Sequence, residues 1–119
     1  MSQNLQLLST DKIGIAQGRQ LMFSDFEENG TMWSGEGPRE VRIWVQFDLE
    51  FQRAPMVQVG VSLWDVDHMT NMRADLRAEG ITKEGFDLVF RTWGDTRIAR
   101  IRADWMAIGP MLDEELWEV

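Results

Sequence analysis

From Val41 to Glu50 apolar and polar residues alternate, with Val41, Ile43, Val45, Phe47 and Leu49 set against Arg42, Trp44, Gln46, Asp48 and Glu50. A period of two puts one set on a buried face and the other toward solvent, so the run predicts a half-buried strand. Val57, Val59, Val61 and Leu63 repeat the pattern against Gln58, Gly60, Ser62 and Trp64. Phe86, Leu88 and Phe90 do so against Asp87, Val89 and Arg91, and Ala99, Ile101, Ala103, Trp105 and Ala107 against Arg100, Arg102, Asp104, Met106 and Ile108. A shorter run, Met72, Ala74 and Leu76 against Asn71, Arg73, Asp75 and Arg77, is also rich in helix formers, and its neighbours decide for strand. Ile13 to Phe23, with Gly14 and Gly18, adds an N-terminal strand or hairpin.

Turn signals fall between these runs at Asn29-Gly30, Gly35-Glu36-Gly37-Pro38, Arg53-Ala54-Pro55, Lys83-Glu84-Gly85 and Gly94-Asp95. A turn every ~8 to 12 residues favours an all-β sandwich over alternating strands and helices. The organisation expected is an N-terminal segment over 1–30, a β-sandwich over 31–109 and an acidic tail over 110–119. Gly109-Pro110 closes the sandwich, and Leu116 and Trp117 stand out in the tail as docking side chains.

Charge sharpens this picture. Twelve Lys and Arg face 20 Asp and Glu, for a formal net charge of -8. The surplus acid sits at the ends: residues 39–109 carry ten basic and eleven acidic side chains, whereas 110–119 carry four acids and no base. Such a chain lacks the basic footprint that nucleic acid requires. No apolar run reaches membrane-spanning length, and Met1-Ser2-Gln3-Asn4-Leu5 does not begin a secretory leader, so a soluble protein is expected. With no Cys and one His there is no disulfide frame, no thiolate nucleophile and no multi-His metal site. Asp65-Val66-Asp67-His68 fails as a calcium loop because Met69 and Thr70 occupy the next two positions, so it reads as a polar strand end and turn. No Gly-x-Ser-x-Gly elbow is present, and twenty acids supply carboxylate pairs without specificity, so no enzyme and no cofactor are expected. Asn29-Gly30-Thr31 has the form of a glycosylation acceptor, though without a leader it reads as a turn.

More informative is the pairing of arginine with tryptophan. Arg73 and Arg77 share a strand face with Asn71 and Asp75, and Thr92-Trp93-Gly94-Asp95-Thr96 forms a strand end and its turn. A guanidinium beside a carboxylate can grip vicinal hydroxyls, and an indole can pack on the C–H face of a pyranose. Composition alone favours a plainer reading, in which Arg73, Asp75 and Arg77 are a solvated cross-strand charge ladder and Trp93 is half-buried packing.

From Trp33 to Gly109 the succession of motifs resembles the H-type lectin domain, the family of the snail agglutinins and the discoidin C-terminal domain. It runs through Trp33, Gly35-x-Gly37-Pro38-Arg39-Glu40, Val45-x-Phe47, Phe51, Pro55, Val57-x-Val59-x-Val61-Ser62-Leu63 and Asp65-Val66-Asp67. Asn71-x-Arg73, Thr82-x-x-Gly85-Phe86, Thr92-Trp93-x-Asp95-Thr96 and Trp105-x-Ala107-Ile108-Gly109 complete it. The resemblance implies a six-stranded antiparallel β-sandwich assembled as a homotrimer or a pair of trimers. It would bind galactose or N-acetylgalactosamine between protomers, without a metal, and so serve in recognition or cell adhesion. It assigns the arginine of the site to Arg73, the tryptophan to Trp93 and the acid to Glu36, near Ser34 and Gly35. Gly94 stands where snail members carry a histidine, and Ala99 where they carry an aromatic ring; Glu36 replaces the more usual aspartate. Outward Trp44 and Trp64, with Arg100 and Arg102, fit a trimer interface. The alternative is a trimeric structural or adaptor module of a larger surface or virion assembly, with a vestigial sugar site and its tail or first 30 residues as the attachment.

Overall fold

The computed structural model describes residues 2–9 and 12–111. Six strands form two three-stranded antiparallel sheets packed face to face: β1 (Ile13–Ser24), β2 (Arg39–Gln46), β3 (Met56–Val66), β4 (Asp75–Glu79), β5 (Gly85–Thr92) and β6 (Ile98–Pro110). One sheet has the order β1-β6-β3 and the other β2-β5-β4. A single helical turn, α1 (Thr31–Ser34), precedes β2. The six-stranded antiparallel sandwich expected from the sequence is therefore the fold. The tail residues 112–119, including Leu116 and Trp117, lie outside the described residues.

The alternating runs form the two inner faces. Val57, Val59 and Val61 pack from β3, Ile101, Ala103 and Ala107 from β6, and Phe86, Leu88 and Phe90 from β5. Aromatic rings fill one end, where Trp105 meets Phe86 at 5.5 Å and Phe47 at 5.9 Å, and Phe47 meets Phe51 edge-on at 5.0 Å. Offset and tilted contacts at these separations suit the ring quadrupoles.

Three expectations need correction. The run from Val41 does not continue to Glu50: pairing with β5 ends at Gln46–Gly85, and the chain then turns so that Phe47 and Phe51 enter the core. Leu49, expected inside, is 63% exposed. The bonds Phe47 N–H to Glu84 O and Phe51 N–H to Lys83 O, both 2.9 Å, hold that loop against the β4–β5 turn. Next, Asn71 to Ala74 is not strand, since β4 begins at Asp75 opposite Arg91. Lastly, Gly109 and Pro110 lie inside β6 rather than beyond it, because β1 pairs along them, Ile13 with Pro110 and Gly14 with Gly109. The strand at 13–24 is thus built into the sheet.

β1 also inverts the simple pattern. Ile13 and Ile15 point outward, while Gly14, Ala16 and Gly18 occupy the inward positions. The reason is space: a Cβ on Gly18 would lie 2.6 Å from the Trp105 indole, and one on Gly14 would lie 2.7 Å from Met111. Small residues on β1 make room for large ones opposite. A register shift between Leu21 and Phe23 then turns Met22 and Phe23 inward.

Candidate functional site

Three chain segments converge at one end of the sandwich: the turn 93–95 between β5 and β6, the segment 71–74 leading into β4, and the loop 34–38 between α1 and β2. Two buried threonines fix the first pair. Thr96 Oγ1 accepts a bond from Arg73 N–H at 3.1 Å and donates to the Asn71 carbonyl, and Thr92 Oγ1 donates to the Arg73 carbonyl. With Thr92 and Thr96 at 1% and 0% exposure, these hydroxyls replace the sheet pairing that 71–74 lacks. They set the position of the Arg73 backbone, and the side chain then forms an ion pair from Nη1 to Asp95 Oδ1 at 2.7 Å.

Gly94 lets that pair form. Its φ of +69° belongs to the left-handed region, and a Cβ there would sit 3.3 Å from Arg73 Nη1. Its carbonyl accepts Gly37 N–H at 2.9 Å, which ties the Glu36 loop to the tryptophan turn of the same chain. Arg39 completes the tie. Its guanidinium donates to the carbonyls of Gly37, Thr31, Met32 and Gly94 at 2.9 to 3.3 Å. The sequence marked Arg39 only as part of a motif; its work as a clamp on four carbonyls depends on loop geometry and has no pattern signal of its own.

Of the residues singled out from the sequence, Arg73 and Gly94 come together directly, with Asp95 added, and Trp93 stands in the same turn, one residue before Gly94. Gly35 and Glu36 are brought alongside through Gly37, and Glu36 is exposed with no ion pair among the described residues. Ser34 donates its hydroxyl to the carbonyls of Asn29 and Gly30, both at 2.9 Å, so it braces α1. Ala99 brings no surface to the cluster: it is 5% exposed on β6, and its carbonyl accepts Asp25 N–H at 2.7 Å. Trp93, at 44% exposure, therefore provides the aromatic wall of this end.

Electrostatically the cluster is a paired donor and acceptor. Partial dehydration pushes the Asp95 carboxyl up, but the Arg73 bond and backbone N–H donors outweigh it, and the group lies below its ordinary value of 3.8. Asp95 is thus a carboxylate at neutral pH beside the Arg73 guanidinium, and the half-exposed Trp93 belongs to the same turn. That set can donate to and accept from adjacent hydroxyls while packing on an apolar ring face. Asp65 to His68, weighed above as a cation loop, runs from the end of β3 into a turn in which Asp67 Oδ1 accepts Met69 N–H at 2.9 Å. Among the described residues no three His, Asp or Glu side chains are grouped to hold a metal ion, and no helix is long and apolar enough to cross a membrane.

The cluster thus sits on the connecting loops of a two-sheet antiparallel sandwich. The chain belongs to the H-type lectin domain family, whose profile matches residues 42–108. It is 57% identical over 107 residues to "ATP synthase subunits region ORF 7" of Fuscovulum blasticum, covering 90% of this chain and 93% of that one. It is 36% identical over 81 residues to discoidin-1 of Dictyostelium discoideum, covering 67% of this chain and 32% of the relative. The solved structure of wild-type discoidin II from the same organism superposes with a TM-score of 0.72 at 28% identity, covering 87% of this chain and 39% of that protein. The chain therefore spans about a third of discoidin-1 and under half of discoidin II.

Proposed function

We propose that the protein is a non-enzymatic lectin that binds galactose or N-acetylgalactosamine units through the Arg73–Asp95–Trp93 cluster and does so multivalently as a homotrimer. The observation that carries the reading is the Arg73–Asp95 pair at 2.7 Å on a turn that also carries the half-exposed Trp93, in a chain of the H-type lectin family. Arg73 donates to sugar hydroxyls, Asp95 and Glu36 accept from them, and Trp93 packs on the ring. Gly35 and Gly94 keep backbone close to the ligand, and Ser34 holds the loop.

Self-association is supported by apolar side chains left outward on both sheets. Trp44 is exposed on the β2-β5-β4 sheet, and Trp64, Ile15, Met106 and Ile108 are exposed on the other. A cyclic trimer joins two different faces of each protomer, which suits exposed surface on both sides of the sandwich. One sugar site of this kind holds its ligand at about 1 mM, roughly -4 kcal/mol. Three sites on one assembly raise avidity about 10²- to 10⁴-fold on matched glycans.

The test is a glycan array run on protein of measured solution mass. A mass near three times 13.8 kDa, signal on galactosyl glycans and its loss in folded Arg73→Ala are expected. A clean array from a folded trimer would favour the second reading, a trimeric structural module with a vestigial site. The burial of Ala99 favours that reading, since it leaves Trp93 without a second ring.

A further inference from the structure

The outer face of the β2-β5-β4 sheet carries a second arginine–aspartate pair. Glu40, Arg91 and Asp75 stand abreast in register across the three strands. Arg91 is engaged on three sides, with Glu40 at 2.8 Å, Glu79 at 3.1 Å and Asp75 at 4.0 Å. Arg77 is not. Its Nε pairs with Asp75 Oδ2 at 2.8 Å, its side chain is 63% exposed, and its Nη1 and Nη2 have no partner among the described residues. Both ion pairs of Asp75 fall on Oδ2, which leaves Oδ1 as an acceptor.

Beside this pair runs an open groove of about 570 Å³, walled by Pro38, Glu40, Ala74, Asp75, Arg77 and Trp93. That volume is in the range of small-ligand sites. Arg39 and Arg91 also line it, but the first is taken up by four loop carbonyls and the second by three acids. What the groove offers a ligand is therefore Arg77 and Asp75, opposite charges in contact, which favour neutral hydroxyls over a phosphate or a cation. Its chemistry is that of the first cluster: unpaired N–H donors, a carboxylate oxygen and an apolar wall. Its apolar wall is Trp93, which immediately precedes the Gly94–Asp95 step that holds Arg73. Four residues along the chain separate Arg73 from Arg77, a span of at most about 13 Å, which leaves room for two adjoining pyranose rings.

We infer that this groove is a second saccharide subsite, continuous with the first across Trp93, that takes the next sugar of an oligosaccharide, with Arg77 donating to its hydroxyls and Asp75 accepting from them. The inference rests on the lectin reading above. Isothermal titration with galactose, N-acetylgalactosamine and soluble di- and trisaccharides ending in those sugars tests it, since monovalent ligands give no avidity. The wild-type protein should bind its preferred di- or trisaccharide about ten-fold tighter than the monosaccharide. Arg77→Ala and Asp75→Asn should keep the monosaccharide affinity and lose the gain, whereas Arg73→Ala should lose both. Monosaccharide binding with no oligosaccharide gain, or a gain that survives both groove variants, would overturn the subsite alone. A folded wild-type protein that binds none of these sugars would remove the lectin reading, and this inference with it.

Discussion

Replacing Thr96 by Val removes one hydroxyl while leaving the side chain's shape almost unchanged, and it isolates the device that places Arg73. The hydroxyl accepts from Arg73 N–H at 3.1 Å and donates to the Asn71 carbonyl from a fully buried position. Without it, two backbone groups lose their partner on a segment that has no sheet pairing. An unsatisfied buried group costs about 1 to 3 kcal/mol; segment 71–73 is only partly buried, so the lower end applies and the pair costs roughly 2 kcal/mol. For a domain of this size each kcal/mol lowers the melting temperature by about 3 to 6 °C, so a fall on the order of 6 to 12 °C is expected by differential scanning calorimetry. Binding should suffer separately: once the 71–73 segment is loosened, sugar affinity should drop about ten-fold, equivalent to ~1.4 kcal/mol. Thr96→Ser keeps the hydroxyl and loses a methyl, costing about 1 kcal/mol, and it should retain the affinity. A Val variant with wild-type melting temperature and wild-type affinity would refute the idea that these bonds hold the site.

Two other perturbations probe the same cluster. Gly94→Ala forces an L-residue to φ +69° and sets a methyl 3.3 Å from Arg73 Nη1; it should cost about 1 kcal/mol in urea denaturation and weaken sugar binding more than an alanine on an exposed strand position does. For pH, the Asp95 carboxyl lies below its ordinary value of 3.8, so the Arg73 pair is present at all higher pH and is lost only as pH falls through the depressed value. Stability from this pair should therefore be flat between about pH 5 and 8 and decline only below about 4. An Asp95→Asn variant should show a shallower acid-side fall in melting temperature than the wild type, with the remainder coming from other depressed carboxyls such as Glu79 and Asp104.

The strands that face a core on one side were legible because burial enforces their period of two, as at Val57 to Leu63 and Ala99 to Ala107. Legibility failed where packing overrides the period. On β1 the isoleucines face outward because Trp105 occupies the space inside Gly18, a relation between distant strands that no local window contains. At Phe47 to Phe51 two rings reach the core from a turn, so alternation continued in the sequence after the strand had ended. Met72 and Ala74 mimic a strand face, but the segment is held by Thr92 and Thr96 hydroxyls instead of a ladder. The candidate site was legible in its side chains, Arg73 and Trp93, because their residue types carry the chemistry. The groups that position them, Thr96, Arg39 and the Gly37–Gly94 bond, come from loops that meet only in the folded chain.

A nuclear magnetic resonance titration of galactose and N-acetylgalactosamine into the labelled protein tests the central claim most directly, because it reports binding and its place together. Saturable shifts are predicted at the Trp93 indole N–H and the Arg73 amide with a dissociation constant near about 1 mM, and no shift at the Trp44 and Trp64 indoles. Absence of shifts well above millimolar sugar, or shifts that avoid Arg73 and Trp93, would contradict it.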